Sequence, residues 1–417
     1  MKRLAEDCFA RPEDMISATE ALDQIAKAAT VVANVETSPL MLCENRILAE
    51  DIYADRNVPP ADNAAVDGYA FVFSDYEKMP QKPREVAGRS AAGRPLATKA
   101  QPDEVVKILT GAIMPDGFDT VAMIEDITFT GEKVILPEGL RSGANRRRAG
   151  EDIRDRQLLL HKGTRLRPQE IGYLASISKA SLPVFMAIRV ALFSTGDELR
   201  EPGEASSPGS IYDSNRYILA STLRSFGCEV TDLGILKDNR EEVRGALAEA
   251  AKTHDLVITS GGVSMGDEDH VKFAVMDVGQ LHFWRIAIKP GRPLAFGQID
   301  GTAFVGLPGN PIAALVCCLK FVRPLIAGMN GGKHDPLSFQ AKADFSLSKK
   351  PGRTEWLRGR YTASESAVGT VEKYHTTGSG VLSSVVWANG LIELGDEVSQ
   401  IEMGDLVKFL PFSEMMR

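Results

Sequence analysis

The sequence predicts a multidomain α/β plus β protein: a central doubly wound α/β domain, an inserted β-rich domain, a discontinuous helical domain and a C-terminal β-barrel-like domain. Three observations predict this. At 417 residues the chain exceeds what one hydrophobic core usually supports, so roughly two to four domains are expected. Across residues 183–330 apolar runs alternate with helix-capping signals, which is the rhythm of a sheet wound with helices on both faces. On either side, short β-prone runs are punctuated by glycine and proline.

Residues 1–50 and 149–182 are expected to form the discontinuous helical domain. Each part carries an Ala/Leu/Ile-rich segment with helical spacing, at 15–49 and 157–180. Residues 51–148 form the β-rich insert, with β-prone runs at 105–109 and 121–124. In the α/β domain, 184–194 is apolar and ends in Thr195-Gly196-Asp197-Glu198. Asp213 or Ser214 then caps a helix that runs to Phe226 before Gly227. A strand over 229–236, a helix after Asn239 with Glu241 and Glu242 in its first turn, and a strand from Asp255 continue the pattern, implying a parallel sheet. A helix over 270–278, a segment over 283–296 broken by Pro290-Gly291, and a strand at Phe304 complete the domain, leading through Leu307-Pro308-Gly309-Asn310-Pro311 into a long helix. The glycine-rich junction 328–332 precedes a tail, 331–417, whose strands and Asn389-Gly390 turn signal predict a small barrel or sandwich.

Hydrophobic residues make up 44% of the chain and charged residues 25%, as in an ordinary globular protein. A net charge of −8 gives no general attraction to nucleic acid or to an anionic membrane, so an anionic ligand needs local basic groups. The longest apolar run, 312–319, is too short to span a bilayer, and acidic Glu6 and Asp7 follow Lys2-Arg3 without an apolar core. A cytoplasmic location is the expectation. Five cysteines with no C-x-x-C pair suit a reducing compartment and structural roles, and the six histidines show no zinc-ligand spacing.

The candidate chemistry lies at strand ends. Leu256 to Thr259 reads as a buried strand ending in Ser260-Gly261-Gly262, where backbone approaches a ligand closely. Ser264, Gly266, Asp267, Glu268 and Asp269 follow on the side where open α/β sheets bind small molecules. Three carboxylate turns, Asp197-Glu198, Lys237-Asp238 and Asp267-Glu268-Asp269, converge if their strands lie side by side. They suit a phosphorylated ligand with Mg2+, which prefers carboxylate, water and phosphate oxygens, although capping explains any one turn alone.

Arg285, Lys289 and Arg292 surround a tight turn and supply positive charge for an anion, or else form a solvated basic hairpin. In the loop before the long helix, Pro308 and Pro311 bracket Gly309-Asn310 and leave N–H groups at the helix start for an anion. In the insert, Asp67 adjoins Gly68 and Thr110-Gly111-Ala112 ends a strand, and just beyond it Glu151-Asp152 follows Arg146-Arg147-Arg148. Each of these, taken alone, is an ordinary turn or solvated hinge.

Taken together, Ala65-Val66-Asp67-Gly68-Tyr69-Ala70, Thr110-Gly111-Ala112-Ile113-Met114-Pro115, Gly150-Glu151-Asp152-Ile153, Ser194-Thr195-Gly196-Asp197-Glu198-Leu199, the 260–269 loop, Lys289-Pro290-Gly291-Arg292-Pro293 and 307–311 resemble the molybdopterin molybdenumtransferase family, which includes MoeA and the gephyrin E domain. The stretches 351–359 and 377–391 are similar to that family's C-terminal domain, so the resemblance spans nearly the whole chain. It implies insertion of molybdate into the dithiolene of adenylylated molybdopterin, with release of AMP.

It also implies catalytic positions at Asp67, Thr110, Asp152, Glu198, Asp238 and Asp269, with Asp238 and Asp269 as Mg2+ ligands. The implied pocket takes in Thr195, Gly196, Asn215, Ser260, Gly261, Gly262, Ser264, Gly266, Arg285, Lys289 and Arg292. Pro308, Gly309, Asn310 and Pro311 complete it, with Arg353 and Ser379 as oxyanion contacts. The resemblance further implies a homodimer, with molybdopterin adenylyltransferase and apo-molybdoenzymes as partners. Two positions depart from the family pattern: Ala64 stands where a serine is usual, and Arg285 where lysine is frequent. The alternatives are molybdopterin adenylyltransferase, which explains only the middle third of the chain, and a non-catalytic pterin-binding scaffold.

Overall fold

The computed structural model describes residues 15–205, 207–263, 270–365 and 367–416. At its centre is a six-stranded sheet in the order Glu229–Leu236, Arg189–Thr195, Leu256–Ser260, Thr302–Leu307, Pro293–Ile299, Gly279–Arg285. The first four strands run parallel. Pro293–Ile299 runs antiparallel to both its neighbours, Thr302–Leu307 and Gly279–Arg285, which corrects the expectation of a parallel sheet. The expected 283–296 segment is the end of one strand, a connection that holds the short strand Ile288–Lys289, and the start of the next, and such antiparallel edges are common on doubly wound sheets. The apolar run 184–194 is likewise divided, between Ser181–Phe185 and Arg189–Thr195.

Successive strand residues face opposite cores. Val190, Leu192, Leu256 and Ile258 pack in one cluster with the helix Asn215–Ser225 and the long C-terminal helix of the domain. Ala191, Phe193 and Val257 pack in the other, with the helices Arg240–Thr253 and His270–Val278. Arg189–Thr195 is therefore flanked by its two successors, one reached along each face, and the crevice at its carboxyl end is the switch point where such sheets bind ligands.

Local capping fixes the helix starts. Asp213 Oδ1 accepts from the Arg216 N–H at 3.1 Å, while Ser214 makes no capping bond. Asn239 accepts from Glu241 and Glu242. The helical run from Pro311 to Met329 is long and apolar enough to cross a membrane, which the 312–319 reading did not foresee, yet 83% of it is buried within the protein. It is the spine of the larger core.

The helix Ala18–Ala28, closed by a Ser17/Glu20 capping box, packs Ala21 and Ile25 into that same core. Leu40, Leu48 and Ile52 share a separate cluster with Ile153, Leu174 and Val184, joining segments on both sides of the insert. The insert is a four-stranded sheet in the order Val86–Ser90, Val105–Ile108, Gly68–Phe71, Thr120–Met123. In the tail, Thr354–Thr362, Thr370–Lys373, Phe339–Ala343, Leu406–Pro411 and Gly390–Leu394 pair in turn, and the last pairs back to the first. This closed barrel resolves the choice between barrel and sandwich.

Candidate active site

A cavity of about 890 Å³ opens at the carboxyl ends of the parallel strands, within the range of small-molecule sites. Three loops are tied together beneath it by one side chain. Asn215 Nδ2 donates to Ser260 Oγ at 2.8 Å and to the Gly309 carbonyl at 2.7 Å. Ser260 Oγ in turn donates to the Pro308 carbonyl at 3.4 Å. A helix start, a strand end and the proline-bracketed loop thus share one buried knot. Gly261 has φ +91°, and a Cβ there would lie 2.5 Å from the Thr195 carbonyl oxygen, so only glycine lets the two strand ends close up.

Of the expected pocket residues, Thr195, Gly196, Asn215, Ser260, Gly261, Gly262, Lys289, Pro308, Gly309, Asn310, Pro311 and Ser379 line the cavity, as do the carboxylates Glu198 and Asp238. Ser260, Lys289 and Asn310, far apart in sequence, face one space. Lys289 is the one basic residue among the described residues of its lining. Ser264, Gly266 and Asp269 lie outside the described residues, with Asp267 and Glu268.

Other expectations are displaced. Arg285 and Arg292 are not part of the lining, and Arg292 is exposed on the surface. Arg353 also stands outside it, with Nε on Glu355 Oε1 at 2.8 Å. Two of the anticipated N–H donors are occupied: Gly261 donates to the Leu307 carbonyl and Ile312 to the Ser379 carbonyl. Asp67, Thr110 and Asp152 line no part of this cavity. Asp67 instead accepts from the Thr110 N–H and hydroxyl, each at 2.7 Å. Those two donors, the N–H first, hold its carboxyl below the ordinary range.

The sequence reading missed several lining residues. Ile211 and Tyr212 form an exposed apolar rim, and Asp213 is buried in an ion pair with Arg216. Thr377, Gly380 and Leu382 reach the cavity from the barrel. Buried Arg358 holds that loop, donating to the Thr376 and Gly378 carbonyls and to Ser384 Oγ. The Ser194 and Thr195 hydroxyls, also in the lining, are buried and make no hydrogen bond to the described residues. Among the described residues no group of three or more His, Cys, Asp or Glu side chains is placed to hold a metal unaided. Of the three carboxylates in the lining, Asp213 is paired with Arg216, while Glu198 and Asp238 fit the habit of Mg2+, which takes one or two carboxylates and fills its remaining positions with water and substrate phosphate.

Residues 16–178 match the MoeA N-terminal region (domain I and II), residues 191–328 a probable molybdopterin binding domain, and residues 340–412 the MoeA C-terminal region (domain IV). The chain is 38% identical over 405 residues to the molybdopterin molybdenumtransferase of Haemophilus influenzae, covering 96% of this chain and all of that protein. It is 33% identical over 379 residues to molybdopterin molybdenumtransferase 2 of Mycobacterium tuberculosis, covering 88% of this chain and 93% of that one. The crystal structure of the molybdopterin biosynthesis MoeA protein from Pyrococcus horikoshii superposes with a TM-score of 0.85 at 27% identity, over 96% of this chain and 100% of that one. The domain order, the strand-end cavity and these matches together place the chain in the MoeA family of molybdopterin molybdenumtransferases.

Proposed function

We propose that this chain inserts molybdate into the dithiolene of adenylylated molybdopterin, releasing AMP and forming the molybdenum cofactor. The observation that carries this reading is the composition of the cavity, in which barrel residues Thr377, Ser379 and Gly380 complete a wall begun by the α/β strand ends. The adenylyltransferase alternative leaves that contribution, and two thirds of the chain, without a role. The scaffold alternative leaves Glu198 and Asp238 without one.

The chemistry needs two anions side by side, whose repulsion grows steeply at low dielectric. Lys289 offsets it from the cavity wall. Molybdate loses one oxide as water on taking the two thiol protons while two Mo–S bonds form, and water cleaves the phosphoanhydride to AMP and the pterin phosphate. No redox change is required. Glu198 and Asp238, with Asp269, hold Mg2+ in this reading, and the ion supplies charge neutralisation at the phosphoanhydride.

Asp67 and Thr110 in the insert, with Asp152 just beyond its end, serve the same reaction. Because they lie outside the cavity of their own chain, the reading includes a homodimer in which the insert of one copy faces the pocket of the other. A cytoplasmic location and hand-over to apo-molybdoenzymes complete it.

Purified protein supplied with adenylylated molybdopterin, Mg2+ and molybdate is expected to release AMP in a molybdate-stimulated reaction and to reconstitute an apo-molybdoenzyme. AMP release indifferent to molybdate rejects the reading. Pyrophosphate produced from ATP and free molybdopterin favours the adenylyltransferase instead.

A further inference from the structure

We infer that Glu355, a buried barrel residue outside the cavity lining, is the positioning residue of Lys289, with Arg353 as the second cation that keeps its carboxylate compensated. The inference rests on the reading above, in which Lys289 faces the anionic reactants.

The geometry begins with strand register. The short strand Ile288–Lys289 leaves the α/β domain and pairs in parallel with the barrel strand Thr354–Thr362, setting Lys289 opposite Glu355. Ile288 is anchored in the large core, and Trp356, next to Glu355, packs in the same cluster. Backbone and side-chain packing therefore fix both partners before any charge is considered.

Glu355 has a side chain only 2% exposed, and such a carboxylate is tolerated only when paired. Its Oε2 lies 3.5 Å from Lys289 Nζ and its Oε1 2.8 Å from Arg353 Nε. Lys289 is 36% exposed and lines the cavity, whereas Glu355 and Arg353 do not. The acid stands behind the lysine and draws the ammonium to one side of a flexible four-carbon stem. A carboxylate with a single partner would be left stranded whenever Lys289 turned to an anion in the cavity. Arg353 removes that difficulty, because it stays on Oε1 while Lys289 is released from Oε2. Arg353 is itself braced, its carbonyl accepting from Lys349 Nζ at 3.0 Å.

This arrangement couples the barrel to the α/β pocket through a charge, in addition to the Thr377–Gly380 loop.

The test is a double-mutant cycle on the full chain, reading molybdate-stimulated AMP release for wild type, Lys289→Met, Glu355→Gln and Lys289→Met/Glu355→Gln, with Glu355→Asp as the conservative variant. Glu355→Gln is expected to lower the rate about tenfold, an interaction of the size measured for contacting charged groups. The double variant should be no slower than Lys289→Met by more than about twofold, because the glutamate acts only through the lysine. Glu355→Asp, which keeps the charge, should recover part of the loss. Losses that multiply in the double variant, or a Glu355→Gln enzyme as fast as wild type, overturn the inference. If Glu355→Gln fails to fold, Glu355→Asp and Lys289→Met/Glu355→Asp carry the same cycle. If wild type releases no AMP, the functional reading fails rather than this one. Calorimetric binding of AMP and of molybdate to the same proteins then decides it, non-additive losses supporting the coupling and additive losses or none rejecting it.

Discussion

The strand-end cavity and the Asp67 sheet both present carboxylates, but they are built over different distances. The cavity gathers Thr195, Asp238, Ser260, Asn310 and Ser379 from five segments spread over nearly half the chain. A buried knot of hydrogen bonds from Asn215 ties two of those segments, at Ser260 and Gly309, to its own helix start. The Asp67 carboxylate, by contrast, takes its hydrogen bonds among the described residues from Thr110, and the strands they flank are direct neighbours with Gly68 opposite Ile108. A site assembled from distant loops depends on backbone closure, so damage there should reach both folding and binding. A site made within one small sheet should lose its chemistry while the rest of the protein stands.

The sharpest way to break the cavity is Gly261→Ala. It forces an L side chain to φ +91° and sets a methyl 2.5 Å from a carbonyl oxygen. Left-handed strain and overpacking together are worth roughly 2–5 kcal/mol. We expect a clear fall in the denaturant midpoint and loss of AMP binding, and an unchanged midpoint would show that the strand ends tolerate separation.

Asn215→Ala comes next. It removes both bonds of the knot and leaves the Gly309 carbonyl unsatisfied, costing about 1–3 kcal/mol. AMP binding should weaken about tenfold, equivalent to roughly 1.4 kcal/mol. Asp67→Asn, measured beside it, should leave AMP binding within error and lower the midpoint far less than Asn215→Ala, while slowing turnover. Equal effects from the two substitutions would erase the distinction between the regions.

The same contrast explains what could be read from sequence. The ends of the parallel strands were legible because a buried run that stops at Ser-Gly-Gly or Leu-Pro-Gly is a local signal. The strand-end rule then turns sequence order into convergence. The antiparallel edge was not legible, because the turn at Pro290-Gly291 hides where one strand ends and the next begins, and nothing local fixes the direction of pairing. Glu355 was silent for another reason. From Glu355 to Gly359 every residue of its strand is buried, so no alternation of polar and apolar positions marks a charged residue as unusual. Arg353 drew notice as an oxyanion contact, and its Nε bond to Glu355, at the start of the strand that Arg353 precedes, is set by side-chain direction that no local pattern encodes. The barrel loop around Thr377 reaches the cavity only through tertiary placement by Arg358 and Ile312, which no local pattern encodes.

The smallest predicted effect tests the insert by itself. Thr110→Val removes the hydroxyl donor to Asp67 but keeps the backbone N–H, which is the larger of the two influences holding that carboxyl down. The Asp67 titration, followed by carboxyl-carbon NMR, should therefore move upward only part of the way toward the ordinary aspartate value of about 3.9. The linkage has a definite sign. A carboxyl whose folded value is depressed lends stability that is fully present above its unfolded value and is lost as pH falls through the folded one. The stability gap between wild type and Thr110→Val should thus be present at neutral pH and close in acid, and AMP binding should not change because Asp67 is absent from the cavity lining of its own chain. A titration curve that stays in place would mean that the backbone N–H alone sets the acidity of Asp67, and a gap that widened in acid would mean that Thr110 stabilises the protonated form.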